Sequence, residues 1–251
     1  AKYITMFDCN PMVYFLFYLK KVALWNLPYQ TYIKFFTVDS LNNQVSSSQF
    51  FSEVIYNTIR CYIDDSDVRL FWDTFYTYCK DKKLMPYNTG LFRPIKYTRE
   101  KLVAVNDYLH SEDTYKQLSR VLNSVKFRFI DKPLVELFAN MPTESQFNLV
   151  LFSNISDYLT GALGEIDEFK ALDKYNRLIN EQVLPHMAYG GRVYFAYIYQ
   201  AKSSPKWTAI DYIEYLPSHF DNYKVQVIEG IGQERYNIPS SVDCVLYKVS
   251  E

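Results

Sequence analysis

Two segments far apart in this chain share one architecture: a short apolar run, a polar turn, then a helical pattern. In the first, Ile4-Thr5-Met6-Phe7 runs into Asp8-Cys9-Asn10-Pro11 and a periodic apolar stretch. In the second, Asn148-Leu149-Val150-Leu151-Phe152 runs into Ser153-Asn154-Ile155-Ser156-Asp157-Tyr158-Leu159. Strands that alternate with helices build parallel sheets, because a parallel neighbour can be reached only through a long crossover. In such sheets ligands gather beyond the carboxyl ends of the strands, which is where both polar turns fall. The pattern points to an α/β fold and to Asp8 and Asn154 as site candidates.

At 251 residues the chain fits one large domain, or a core with a sizeable insertion. With 49% apolar and 22% charged residues it can bury a core. A net charge of −1 excludes a bulk electrostatic footprint for nucleic acid or an acidic membrane. Aromatic residues make up 18% of the chain, most of them tyrosine and phenylalanine. Tyrosine suits pocket walls and interfaces, although AT-rich coding favours the same residues. Cys9, Cys61, Cys79 and Cys244 form no C-x-x-C pair, and His110, His186 and His219 are equally scattered. Zinc or iron–sulfur spacing is therefore lacking. Unpaired thiols without a visible signal peptide lead us to expect a cytoplasmic protein. The apolar run over residues 12–19 stops at Lys20-Lys21, too short to span a bilayer, and reads as a buried helix.

Along the chain, residues 3–8 read as a strand, Asn10 as a helix N-cap and Pro11 as the first helical residue. The helix is expected over residues 12–26, with Pro28 marking its end. Residues 29–124 read as mostly helical. Ser46-Ser47-Ser48 is the expected cap of a helix over 50–62, Ser66 that of a helix over 68–80, and Thr98 and Ser111 start two more. Residues 125–130 alternate as a strand, 133–139 suggest a short helix, and 147–152 a central parallel strand. A long helix over 166–186 is expected to end at Gly190-Gly191, followed by a strand over 192–199. Strands over 223–228 and 242–249 with no helix between them predict a terminal antiparallel hairpin.

This order resembles the class I S-adenosylmethionine-dependent methyltransferase fold from its second strand onward, over residues 1–28 and 125–251. More narrowly, Phe7-Asp8-Cys9-Asn10-Pro11, with Leu19-Lys20-Lys21-Val22-Ala23 and Leu27-Pro28-Tyr29, is similar to a segment of the 3-amino-3-carboxypropyl transferases of betaine-lipid synthesis. The resemblance implies a Rossmann-like, mostly parallel twisted sheet with a terminal antiparallel hairpin. Residues 29–124 would then be a helical insertion or lid, with Tyr87-Asn88-Thr89-Gly90 and Arg93 as its candidate lid loop. The family's first strand and Gly-rich loop are not found in this chain, and a segment ahead of Ala1 is expected to carry them.

The resemblance implies cofactor contacts at Asp8, Cys9, Asn10, Leu134, Asn154 and Ile155. An acid ending the second strand can accept hydrogen bonds from both ribose hydroxyls, so Asp8 is the ribose candidate; the alternative is that it only caps the helix. After the third strand Pro133 falls where the family's adenine-contacting acid is usual and Asp131 lies two residues early, leaving the Leu134 amide for that contact. Asn154 can donate and accept, and would hold the methionine portion of the cofactor or orient a nucleophile. Asp157, as general base, and Tyr158 are the catalytic candidates, although Asp157 also suits a helix N-terminus. Tyr197 and Tyr199 either wall the substrate site or belong to the core.

The expected activity is an S-adenosylmethionine-dependent transfer of a methyl or 3-amino-3-carboxypropyl group to a small-molecule or lipid acceptor. Loss of the sulfonium charge during transfer leaves proximity and in-line geometry as the main demands, with no metal required. The alternative is a non-catalytic binding or scaffold module on a methyltransferase-like fold. A dinucleotide enzyme fits the terminal hairpin and the Ser-Asn turn less well, and without a G-x-S-x-G elbow a Ser–His–Asp hydrolase is disfavoured.

Overall fold

The computed structural model describes residues 3–8, 10–38, 40–41, 44–45, 49–86, 89, 97–104, 106–138, 141, 146–152, 167–199, 223–229 and 241–248. The chain divides into two compact units, Ala1–Asp131 and Lys132–Glu251.

The first unit begins with β1 (Tyr3–Phe7), followed by α1 (Pro11–Asn26) and α2 (Tyr29–Phe36). Asn10 caps α1 as expected: its side chain accepts from the Met12 N–H at 3.0 Å, and Pro11 occupies the first turn, where its missing N–H costs nothing. Leu27 leaves the helical region, and Pro28, in an extended conformation, opens α2. Two-residue strands β2 (Ser40–Leu41) and β3 (Gln44–Val45) pair antiparallel. Then come α3 (Glu53–Ile59), α4 (Ser66–Asp81), α5 (Arg99–Ala104), α6 (Glu112–Asn123) and β4 (Lys126–Ile130). Strands β1 and β4 run parallel in register, Tyr3 opposite Lys126 and Phe7 opposite Ile130.

Helix α1 is apolar around most of its circumference because it is covered on two sides. Leu19, Val22 and Ala23 enter the helical core, while Tyr14 stacks on Phe129 at 4.6 Å and Phe17 meets Phe127 at 5.3 Å. Several of the tyrosines are structural. Tyr29, Tyr32 and Tyr115 are buried, and their hydroxyls find partners: Tyr29 donates to the Leu109 carbonyl, Tyr115 to the Leu27 carbonyl at 2.8 Å, and Tyr32 pairs with the Tyr108 hydroxyl at 3.0 Å. In these three a large apolar body with a satisfied polar tip fills the core, whereas the Tyr76 hydroxyl in the same core is buried without a partner among the described residues.

Two caps differ from expectation. Asp65, rather than Ser66, caps α4, its Oδ1 accepting from the Asp67 and Val68 N–H groups at 3.0 and 3.1 Å. An ionised carboxylate holding two amides is the better match for the positive helix end. Helix α3 starts at Glu53, after Phe51 takes a left-handed φ of 47°, and Ser46-Ser47-Ser48 lie outside the described residues. Thr98 and Ser111 do cap their helices, Ser111 in a reciprocal capping box with Thr114.

Asp73 of α4 fastens the turn after α3. It accepts from Arg60 Nε and Nη2 at 2.7 and 2.6 Å and from the buried Tyr56 hydroxyl at 2.7 Å. The Arg60 hydrogen bond first, with Tyr56 helping against partial desolvation, holds the Asp73 carboxyl below its ordinary value of 3.8. A carboxyl depressed on folding stabilises the fold above its unfolded value, and this contribution is lost as pH falls through the folded value. Wild type is therefore expected to exceed Asp73→Asn in urea midpoint at neutral pH. The gap should close on acidification below 3.8; a gap constant with pH would contradict the pairing.

The second unit holds α7 (Leu134–Leu137), β5 (Phe147–Phe152), α8 (Glu168–Leu178), β6 (Met187–Tyr199), β7 (Tyr223–Glu229) and β8 (Ser241–Lys248). Its four strands lie in the order β5-β6-β8-β7. Strands β5 and β6 are parallel, and β8 runs antiparallel to both β6 and β7. The expected long helix is shorter than its apolar period suggested. It leaves α geometry at Leu178, passes through a π turn (Ile179–Val183), and tightens to a 3-10 turn (Leu184–His186) containing Pro185. Strand β6 starts at Met187 rather than after the glycine pair. Gly190 and Gly191 lie in a bulge where residues 188–191 of β6 face Asn148 alone on β5. Along β5, Val150 and Phe152 are buried while Leu149 and Leu151 are 49% and 61% exposed, so its apolar run is covered on one face.

The molecule is thus mixed helix and strand, with short parallel pairings compatible with an α/β fold. Among the described residues no helix is long and apolar enough to cross a membrane.

Candidate functional site

The carboxyl ends of β1 and β4 meet at one edge of the first unit. Phe7 lies opposite Ile130, so Asp8 and Asp131 are the next residues on adjacent parallel strands. The Asp8 N–H continues the ladder, donating to the Ile130 carbonyl at 3.3 Å. Asp8 Oδ1 accepts the Asn10 N–H at 2.7 Å, and Asn10 Oδ1 in turn accepts from Met12. This chain of local bonds fixes the turn and leaves the second carboxylate oxygen of Asp8 with no donor among the described residues. Asp8 is partly buried; Asn10 and Asp131 are exposed. The arrangement presents carboxylate oxygens beyond a parallel strand pair, where they can accept hydrogen bonds from a vicinal diol.

The structure therefore brings together Asp8, Asn10 and Asp131. Leu134 belongs to the second unit, where it is buried as the first residue of α7 after the extended Pro133. A first helical residue has no intrahelical acceptor for its N–H, which suits it to a ligand contact. Cys9, Asn154, Ile155, Asp157 and Tyr158 lie outside the described residues, as do most of the expected lid residues. Tyr197 and Tyr199 lie in β6. Among the described residues, no cluster of three or more His, Cys, Asp or Glu side chains is placed to hold a metal ion.

One cleft could not be read from the sequence. A cleft of about 420 Å³ lies between the α1 stripe Tyr14, Phe17, Tyr18, Lys21 and Trp25, the inward residues Phe127 and Phe129 of β4, and the Asp64-Asp65 turn. The stripe has helical spacing, but its acidic wall comes from some fifty positions away, beyond the reach of a local pattern. Tyr14 donates to Asp65 Oδ2 at 2.7 Å, and Tyr18 donates to Asp64. Burial first, with the bond to Asp65 adding to it, raises the Tyr14 hydroxyl well above its ordinary value, so it stays a neutral donor. Burial alone would raise the Asp65 carboxyl, but the Tyr14 hydroxyl and the Val68 and Asp67 amides outweigh it and hold the group ionised.

Comparison with models of protein families gives no match, and comparison with curated protein sequences gives none.

Proposed function

We propose that this protein is an S-adenosylmethionine-dependent transferase, moving a methyl or 3-amino-3-carboxypropyl group to a small-molecule or lipid acceptor on a Rossmann-like core. The observation that carries the reading is the placement of Asp8: a partly buried carboxylate directly after a parallel strand, held by Asn10 and with one oxygen open. That is the group expected to accept from the two ribose hydroxyls. The strand orders support it. The β1–β4 pair corresponds to the second and third strands of such a core, and β5-β6-β8-β7, with β8 antiparallel between its neighbours, to the fourth, fifth, seventh and sixth. Among the described residues β1 and β5 each pair on one edge only.

In this reading Asp8 and the Cys9-Asn10 turn hold the ribose, the Leu134 amide contacts the adenine ring, and Asn154 with Ile155 holds the methionine portion. The bound sulfonium supplies an electrophilic carbon. The chain's own task is to align the acceptor, exclude water, and take the acceptor's proton, for which Asp157 and Tyr158 are the candidates. Isothermal titration of the full-length polypeptide with S-adenosylmethionine should give saturable binding. Folded protein that takes up none would contradict the proposal.

A second reading, a binding or scaffold module without catalysis, draws on Asp8 Oδ1 being engaged by its own turn and on Pro133 standing where an acid is usual. Binding of the cofactor without turnover over a broad set of acceptors would favour it.

A further inference from the structure

The cleft along α1 has three charged groups, and they are not equally satisfied. Asp65 uses Oδ1 for the Asp67 and Val68 amides and Oδ2 for the Tyr14 hydroxyl, and its charge sits on the positive end of α4. Asp64 accepts the Tyr18 hydroxyl. Lys21 feels the charge of Asp65 but touches no carboxylate: among the described residues none lies within salt-bridge distance of its ammonium. Instead Nζ lies 3.9 Å from the Tyr18 ring centroid, 5.1 Å from Trp25 and 5.6 Å from Phe127. Ring faces attract a cation but provide no lone pair to receive its three N–H bonds. Trp25 Nε1, on the same wall, is buried and without an acceptor among the described residues. What Lys21 and Trp25 lack is an acceptor within reach, and what surrounds the Lys21 ammonium is apolar ring surface.

We infer that this cleft is a binding site for an organic monocarboxylate, whose carboxylate pairs with Lys21 while its apolar or aromatic body packs against Trp25, Phe127 and Phe17. A volume of about 420 Å³ suits a small ligand. A cationic ligand fits less well, since Lys21 already occupies the ring faces. A phosphate dianion fits less well too, because Asp64 and Asp65 line the same cleft and oppose a second negative charge. The site is distinct from the strand-end site. Tyr14 packs on Phe129 and Phe17 on Phe127, so α1 runs antiparallel to β4, and Lys21 and Trp25 lie toward its amino end, away from Asp8.

The test is calorimetric titration of the full chain, at neutral pH and physiological salt, with hydrocinnamate, its neutral amide and phenylpropylamine. Hydrocinnamate should bind roughly tenfold tighter than the amide, the expected worth of one charge-assisted bond in a partly buried cleft. Lys21→Met should erase that difference, and Asp64→Asn should tighten the carboxylate by about two- to fivefold by removing a like charge. Equal binding of acid and amide, tighter binding of the amine, or binding of none of the three overturns the inference. Should Lys21→Met melt early, the ranking of the three ligands on wild type still decides.

Discussion

Replacing Trp72 by alanine is expected to destabilise the first unit by about 4 kcal/mol, the largest loss from any single side chain in it. Trp72 is fully buried on α4. Its ring stacks on Phe51 at 5.9 Å and meets Phe71 and Phe75 edge-on at 5.1 and 5.7 Å. Its Nε1 donates to the Phe15 carbonyl of α1 at 3.1 Å. Truncation opens a cavity among aromatic walls that cannot collapse easily, and it deprives the Phe15 carbonyl of that donor, a loss of about 1 kcal/mol or more on its own. In a unit of this size the melting temperature should fall by about 8–16 °C. Trp72→Phe keeps much of the ring packing and loses the hydrogen bond, so about 1–2 kcal/mol is expected. Urea unfolding followed by near-ultraviolet circular dichroism would check both. A loss below about 1 kcal/mol for alanine would mean that Trp72 does not organise this core.

The second large effect is expected at Gly191, whose neighbour Gly190 serves as its control. A Cβ on Gly191 would lie 2.7 Å from the Ala188 carbonyl oxygen, 2.9 Å from Met187 Cε and 3.0 Å from the Phe147 carbonyl oxygen. Two of these atoms are backbone, and Met187 is itself buried, so nothing nearby yields cheaply. Gly191→Ala should cost about 2–3 kcal/mol by overpacking the β5–β6 bulge. Gly190 has nothing within 4 Å of its ideal Cβ but sits at φ +71°. Alanine there should cost about 1–2 kcal/mol from the left-handed backbone alone, and asparagine less. Thermal melts of the three variants, with amide exchange in β5 and β6 as the local readout, test the ordering. A larger loss at Gly190 than at Gly191 would place the constraint in backbone conformation rather than in space.

What could be read before the structure was mostly local. The Asn10-Pro11 start of α1 and the Ser111 start of α6 depend on residues within one turn of each other, and both stand as expected. Asp65 and Ser66 are adjacent good caps, and only the geometry of the turn decides between them. The end of α8 was hidden for a physical reason. Its π and 3-10 continuation still buries Ile179, Val183 and Leu184, so apolar spacing runs on after α hydrogen bonding has stopped. The early start of β6 depends on register with β5, which no local pattern encodes. The placement of Asp8 and Asn10 beyond β1 was legible because strand, turn and cap are consecutive. Lys21 was visible as an interruption of an apolar run and as part of the family-like segment, not as a pocket residue. Its aromatic surroundings and the Asp64-Asp65 wall required the fold to assemble.

The proposed function rests on Asp8 more than on any other residue. Its open carboxylate oxygen is expected to receive charge-assisted hydrogen bonds from the cofactor ribose, each worth about 1.5–3 kcal/mol. The turn it belongs to is also held by the Asn10 cap and the β1–β4 ladder, so Asp8→Ala should leave the protein folded. The most direct measurement is therefore the affinity of S-adenosylmethionine for wild type and Asp8→Ala, titrated side by side with their melting temperatures. Binding by the wild type is expected, weakened on the order of 10- to 100-fold in the variant, with the two melting within a few degrees of each other. Equal affinity in two folded proteins would contradict it.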